Sequence, residues 1–336
     1  MERKNAWAAY AEDDSKVEAF AKAYCDFINN GKTERECVAY GEKLAKAHGF
    51  EDLNAVIRSG RKLEAGARVY VNWMGKSFML FVLGAKPLEE GMNILGAHID
   101  SPRIDVKQNP LYEDGDLAYL DTHYYGGIKK YQWVAMPLAL HGVIIKKNGE
   151  KVPVNIGEDE NDPVFCISDL LIHLAQEQMA KNAKDVVEGE ALNLIVGGRP
   201  LAGEEKDAVK ANVLKLLDDK YGVEEEDFLS AELEIVPAGK ARDMGFDRSM
   251  ILGYGHDDRV CAYPSMMAVL DYEGTPDYTL CCIITDKEEI GSVGATGMAS
   301  HYLENTVAEL YACTADYCEL AVRRCLRNSR MLSSDV

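Results

Sequence analysis

Apolar side chains recur at helical spacing through DDSKVEAFAKAYCDFINN, from about residue 13 to residue 30, and the pattern stops before Gly31. Thr33 followed by Glu36 is a capping-box spacing, and it opens a second helix ending near Gly49. The period then shortens. RVYVNWM and SFMLFVLG read as strands around a Gly75-Lys76 turn, and NILGA (93–97) reads as a short apolar strand that runs directly into His98.

The middle of the chain has a different character. VIIKK-NG-EKVPVNI predicts a hairpin turning at Asn148-Gly149. SDLLIHLAQEQMAKN predicts a helix with Ser168 or Asp169 near its cap, and DAVKANVLKLLDDKYG predicts another, ended by Gly222. ELEIVP reads as a strand. Residues from about 101 to 240 therefore form an expected β-rich insertion carrying a few helices. From about 245 an α/β rhythm returns. DDRVCAYPSMMAVLDY is a helix that must accommodate Pro264, and YTLCCIIT is a strand apolar enough to be buried on both faces. A helix of small residues is expected from about Gly294, a further helix around 315 to 327, and a last strand in SRMLSSDV.

Composition narrows the classes. Among 336 residues 47% are hydrophobic, which suits about two packed domains and excludes wholesale disorder. Lys plus Arg number 37 against 56 Asp plus Glu, a net charge of −19, so phosphate backbones are repelled and nucleic acid is not an expected partner. No apolar run reaches the ~18 residues of a membrane span. The nine cysteines are odd in number, form no C-x-x-C pair and fall partly in apolar runs such as YTLCCIIT, a pattern of reduced thiols in a cytoplasmic protein. MERKNAWAAYAEDDSK has no apolar leader core, which argues against a secretory or transit signal.

Four clusters carry candidate chemistry: AHIDSP (His98, Asp100), GHDDRV (His256, Asp257, Asp258), DKEEIGS (Asp286, Glu288, Glu289) and SSDV (Asp335). Three directly follow strand-like runs, and ligands of open α/β sheets gather at the carboxyl ends of strands. A pair of divalent metals needs neutral imidazole and carboxylate oxygen, with one carboxylate shared between the ions and another, free of metal, to take a proton from water. Adjacent Glu288 and Glu289 can divide those two carboxylate roles. His98-x-Asp100 fits a metal-bound imidazole oriented by a carboxylate behind it. Each cluster alone has an ordinary reading: a polar residue ending a strand, a solvated acidic pair, or the cap and first turn of a helix. Their joint occurrence after apolar strands favours the metal reading.

NILGAHIDSPRIDVK, YYGGIKKYQW, GYGHDDRV, TDKEEIGSVGATGM and MLSSDV together resemble the M18 metallopeptidases, the aspartyl aminopeptidase family, in its bacterial branch. The resemblance runs from the first helices to Val336. It implies an α/β, mixed-sheet zinc-exopeptidase (phosphorylase/hydrolase-like) core over 1–100 and 241–336, with an inserted β-rich oligomerisation or lid domain over 101–240. It implies two divalent metal ions, most simply Zn2+, and removal of N-terminal residues from peptide substrates. Carried over residue by residue, His98 and Asp335 resemble ligands of one metal, with Asp100 holding the His98 ring. Asp257 resembles the bridging carboxylate, Asp258 its non-ligand neighbour, Glu289 a ligand of the second metal and Glu288 the general base. The family assembles into dodecamers, so a homo-oligomer is expected.

The family's last metal ligand is a histidine beyond the SSDV motif, and the sequence to Val336 does not contain that segment. This predicts a C-terminally incomplete catalytic domain, a second metal left with Asp257 and Glu289, and a chain silent by itself. His48, His123, His141 and His301 are the other imidazoles to consider, with nothing in the sequence to position one. His173, in LLIHLAQ, has an apolar helical context that favours a core or subunit-interface role over a substrate-side one. Two further functions remain open: another two-metal hydrolase such as a carboxypeptidase or deacylase, and a catalytically silent assembly subunit.

Overall fold

The computed structural model describes residues 5–10 and 12–336. Residues 1–4 and 11, within the stretch read as lacking a leader, lie outside the described residues. The chain divides into two compact units, one of residues 1–100 with 241–336 and the other of residues 101–240.

The first unit begins with α1 (Ser15–Asn30), which buries Tyr24, Phe27 and Ile28 at the i, i+3, i+4 spacing of one helix face. In α2 (Glu34–Ala47) the capping box forms as spelled: Thr33 Oγ1 accepts from the Glu36 amide at 3.3 Å, and the Glu36 carboxylate accepts from the Thr33 amide at 3.1 Å. Then come β1 (Glu51–Asp52), α3 (Leu53–Ser59), β2 (Arg68–Trp73), β3 (Ser77–Val82) and β4 (Met92–His98).

The second unit is a wholly antiparallel six-stranded sheet. It comprises β5 (Arg103–Asp114), β6 (Leu117–Tyr125), β7 (Leu138–Ile145), β8 (Lys151–Ile156), β9 (Leu194–Gly197) and β10 (Ala231–Pro237), in the order β8-β7-β10-β5-β6-β9. The β7–β8 hairpin turns at Asn148-Gly149, with Gly149 at φ 84°. A one-turn helix, α4 (Gln176–Met179), and the longer α5 (Ala208–Tyr221) belong to the same unit. The helix expected over SDLLIHLAQEQMAKN is thus reduced to α4. Leu170, Leu171, Ile172 and Leu174 are exposed, so within one chain they have no core to pack on, and helices are held mainly by such packing. His173 lies in this exposed irregular stretch rather than on a core-facing helix.

The chain re-enters the first unit through a small hairpin, β11 (Arg242–Met244) and β12 (Met250–Leu252), followed by α6 (His256–Leu270), β13 (Thr279–Thr285), α7 (Tyr302–Thr314), α8 (Glu319–Asn328) and β14 (Arg330–Ser333). The helix expected from Gly294 is absent. Residues 292–301 form successive turns in which Ser292 and Gly294 have positive φ, a conformation that cannot propagate a right-handed helix.

The strand order of this mixed sheet is β1-β2-β3-β13-β4-β14. Alternation sends Phe78, Leu80, Val82, Cys282 and Ile284 to one face, with α1, α2 and α6. It sends Met79, Phe81, Leu83, Cys281 and Ile283 to the other, with α3, α7 and α8. Both faces of β3 and β13 are therefore covered, which is why their sequences are apolar throughout. The parallel registers position the functional loops: Thr285 of β13 stands beside His98 of β4, and Ser333 of β14 beside Gly96. Three parallel strands thus end at one level.

Candidate metal centre

His98 is the last residue of β4 and is buried. Its Nδ1 is 3.0 Å from the Asp100 carbonyl oxygen and 3.2 Å from Asp100 Oδ1. A proton on Nδ1 serves both acceptors and leaves the Nε2 lone pair facing outward. Nε2 is buried yet makes no hydrogen bond. Around it stand Asp257 Oδ1 at 3.3 Å, Asp335 Oδ1 at 3.7 Å and Glu288 Oε2 at 3.8 Å. An imidazole nitrogen gathered with carboxylate oxygens, and left without a hydrogen bond, is the kind of donor set that fits a divalent metal.

Two groups of donor atoms that include His98 lie within 4.8 Å of one another, His98 with Asp257 and Glu289, and His98 with Asp258 and Asp335. Four separate elements supply them. His98 ends β4, and Asp335 follows β14, held at that level because the Ser334 amide donates to the Gly96 carbonyl at 2.9 Å. Asp257 and Asp258 open α6 with non-helical backbone angles and are joined by a cis peptide bond. Glu288 and Glu289 lie on a single helical turn after β13, entered through Lys287 at φ 70°. The fully buried Asp100 ties two of these arms. Its Oδ1 accepts from the Glu288 amide and its Oδ2 from the Glu289 amide, each at 3.2 Å, while it also orients His98.

Other histidines are engaged elsewhere. His256, adjacent in sequence to Asp257, turns Nδ1 to the Tyr24 hydroxyl at 2.8 Å and Nε2 to the Ile251 carbonyl at 3.2 Å. His48 binds the Leu44 carbonyl through Nδ1, and His301 binds Glu304. His141 faces Glu158, and His123 stacks on Tyr124. None of these joins the clustered donors among the described residues.

Burial and the crowding of like charges shift the protonation of these groups. Burial and the neighbouring Asp257 charge push Glu289 up to about 7. Burial also raises Asp258, whose Oδ2 accepts from the His98 amide at 3.3 Å while Oδ1 has no hydrogen bond. For His98, burial favours the neutral ring. The Asp100 hydrogen bond, with the charges of Asp100, Asp258 and Glu288, outweighs it and pushes the imidazole up to about 9.

Two buried cations near these arms were not singled out as functional from the sequence. Lys76, in the β2–β3 turn, places Nζ 2.8 Å from Glu34 and 3.9 Å from Asp286 Oδ2. Asp286 also accepts from the Thr296 hydroxyl at 2.6 Å and donates its amide to Ser77 Oγ at 3.1 Å, anchoring the loop that carries Glu288 and Glu289. Arg259 is buried behind Asp258. The only sequence signal for either was a cation beside a motif, in GKS and in HDDR.

The chain is similar to known proteins over its whole length. Residues 27–336 match the family model described as Aminopeptidase I zinc metalloprotease (M18). The probable M18 family aminopeptidase 1 of Clostridium acetobutylicum is 56% identical over 337 residues, spanning 100% of this chain and 72% of that relative. The crystal structure of an M18 aminopeptidase from Thermotoga maritima superposes with a TM-score of 0.92 at 42% identity, covering 100% of this chain and 72% of that one. Aminopeptidase I from Clostridium acetobutylicum gives 0.89 at 53% identity, covering 100% and 73%. The fold also matches the yeast mApe1 dodecamer, with a TM-score of 0.72 at 20% identity, over 96% of this chain and 72% of that one. The chain belongs to the M18 family of aminopeptidases, which are zinc metalloproteases.

Proposed function

We propose that the chain is a dinuclear metal-dependent aminopeptidase acting on the N-termini of peptides. The observation that carries this reading is His98 Nε2, buried, without a hydrogen bond and faced by three carboxylates. His98 and Asp335 would hold one metal and Glu289 the other, with Asp257 the carboxylate the two would share, its negative charge offsetting the repulsion between two dications. When bound, such a pair supplies Lewis acidity at the scissile carbonyl and lowers the pKa of a water.

The remaining work falls to the chain's own groups. Asp100 fixes the His98 ring through Nδ1. Glu288 is exposed, its amide is held by Asp100 and its Oε2 stands 3.8 Å from His98 Nε2, a placement suited to accepting the proton of the attacking water and returning it to the leaving amine. The carboxylate-rich rim attracts the substrate's free ammonium, which restricts cleavage to chain ends. The second unit serves self-association: Leu170, Leu171, Ile172 and Leu174 form an exposed apolar run that a further copy would cover.

Hydrolysis of aminoacyl-anilides, but not of their N-blocked counterparts, by the zinc-loaded protein tests the reading. Cleavage of N-blocked substrates points to a carboxypeptidase or deacylase. Bound zinc without hydrolysis points to a silent assembly subunit.

A further inference from the structure

Resting on the metal-centre reading, we propose that Arg259 is a positioning residue for that centre, a buried guanidinium that clamps the His98–Asp100 arm to the Asp257–Asp258 arm. Arg259 follows Asp258 directly and is 1% exposed. Its Nε donates to the Ile99 carbonyl at 3.1 Å, and its Nη2 donates to the Lys32 carbonyl at 2.9 Å. Ile99 is the residue between His98 and Asp100, whose side chains are hydrogen-bonded to each other. Whatever shifts the Ile99 peptide therefore shifts His98 Nε2 and the Asp100 carboxylate together.

The surroundings are shaped for this one side chain. A Cβ at Gly255 would stand 2.0 Å from Arg259 Nη1, and Gly255 has φ 85°, so glycine is required there both for backbone and for room. The Tyr254 ring faces the guanidinium with 5.4 Å from its centroid to Cζ. Nη1 makes no hydrogen bond although it is buried. A buried arginine is costly to hold, and this one spends two of its donors on main-chain carbonyls of separate segments, an arrangement suited to its rigid planar fork and not to the single point charge of lysine. The segment Gly255-His256-Asp257-Asp258-Arg259 thus reads as one device: room for the guanidinium, two carboxylates, and the brace that aligns them with His98.

Two variants of the full chain test this. Arg259→Lys keeps the charge and loses the fork, and Gly255→Ala keeps the arginine and displaces Nη1. Met92→Ala, buried among the side chains on the opposite face of the sheet, is the control for plain destabilisation. Zn2+ affinity is measured in metal-buffered solution, the Co2+ absorption spectrum is recorded, and metal-free unfolding is followed by near-ultraviolet circular dichroism. Both variants are expected to bind Zn2+ about tenfold or more weakly and to alter the Co2+ spectrum, while Met92→Ala lowers the metal-free midpoint with Zn2+ affinity within about twofold of the parent. Parent-like Zn2+ affinity in Arg259→Lys, or an equal loss in Met92→Ala, overturns the proposal. If Arg259→Lys and Gly255→Ala both fail to reach the native signal, the arginine is a stability residue and the proposal falls. Failure of the parent chain itself to bind Zn2+ overturns the metal-centre reading, and this inference with it.

Discussion

Replacing Asp100 by asparagine is the sharpest perturbation of the centre, because it preserves shape and removes one charge and one acceptor. His98 Nδ1 and the Glu288 amide reach Oδ1 of the carboxylate, and the Glu289 amide reaches Oδ2. Asparagine has one oxygen. Placed at Oδ1, it keeps the first two donors and turns its own NH2 group against the Glu289 amide. Flipped, it strands two donors instead of one. A buried donor without a partner costs about 1–3 kcal/mol, so the metal-free protein should be destabilised by about that much. Zn2+ affinity should fall about 10–100-fold, or ~1.4–2.7 kcal/mol, because both the imidazole and the Glu289 turn lose their orientation. His98 should titrate lower than in the parent, since the Asp100 hydrogen bond and charge lead the influences that raise it against burial. Denaturant unfolding of the metal-free protein, competition titration with a Zn2+ chelator and NMR titration of the imidazole read the three effects separately. An asparagine variant with parent-like Zn2+ affinity and unchanged imidazole titration would refute the role assigned to Asp100.

Other substitutions probe other parts of the molecule. Glu288→Gln should keep its zinc by elemental analysis while losing about 10²–10⁴-fold in aminoacyl-anilide hydrolysis, and equal rates would remove Glu288 as the base. Gly142→Ala, where the new Cβ would sit 1.9 Å from the Glu232 carbonyl oxygen at φ 136°, should destabilise the second unit by more than about 1 kcal/mol, which a lowered denaturation midpoint would register. Burial holds Cys37 and Cys282 protonated, each pushed up to about 12, so a thiol reagent at neutral pH should label exposed Cys318 before either, as mass spectrometry of partly labelled protein would reveal. Leu171→Asp with Ile172→Asp should shift the protein to smaller species in sedimentation if the exposed run mediates self-association, and an unchanged profile would locate the interface elsewhere.

Much of this architecture is legible in the sequence. The Thr33–Glu36 capping box, the Asn148-Gly149 hairpin and the fully apolar β3 and β13 are local signals, and local chemistry decided them. The readings that failed did so where local pattern and tertiary context disagree. Leu170, Leu171, Ile172 and Leu174 have helical spacing, but spacing alone cannot make a helix where one chain offers no surface to pack against. The small residues after Gly294 look compatible with a helix, yet positive φ at Ser292 and Gly294 and the Thr296 bond to Asp286 commit them to turns.

The sequence alone determined which residues are available to the proposed centre, because side-chain chemistry and family motifs are written one position at a time. It equally determined that those residues follow apolar strands. Only the tertiary structure decided that strands far apart in sequence run parallel, with His98 and Thr285 side by side and Ser333 beside Gly96, so that their ends meet. It also decided what lies behind the donors. Asp100 joins the His98 and Glu288–Glu289 arms, Lys76 anchors Asp286, and Arg259 reaches the Ile99 carbonyl. The reason is physical: strand register and buried hydrogen bonds are relations between distant segments, and a linear pattern specifies the partners' chemistry without specifying their meeting.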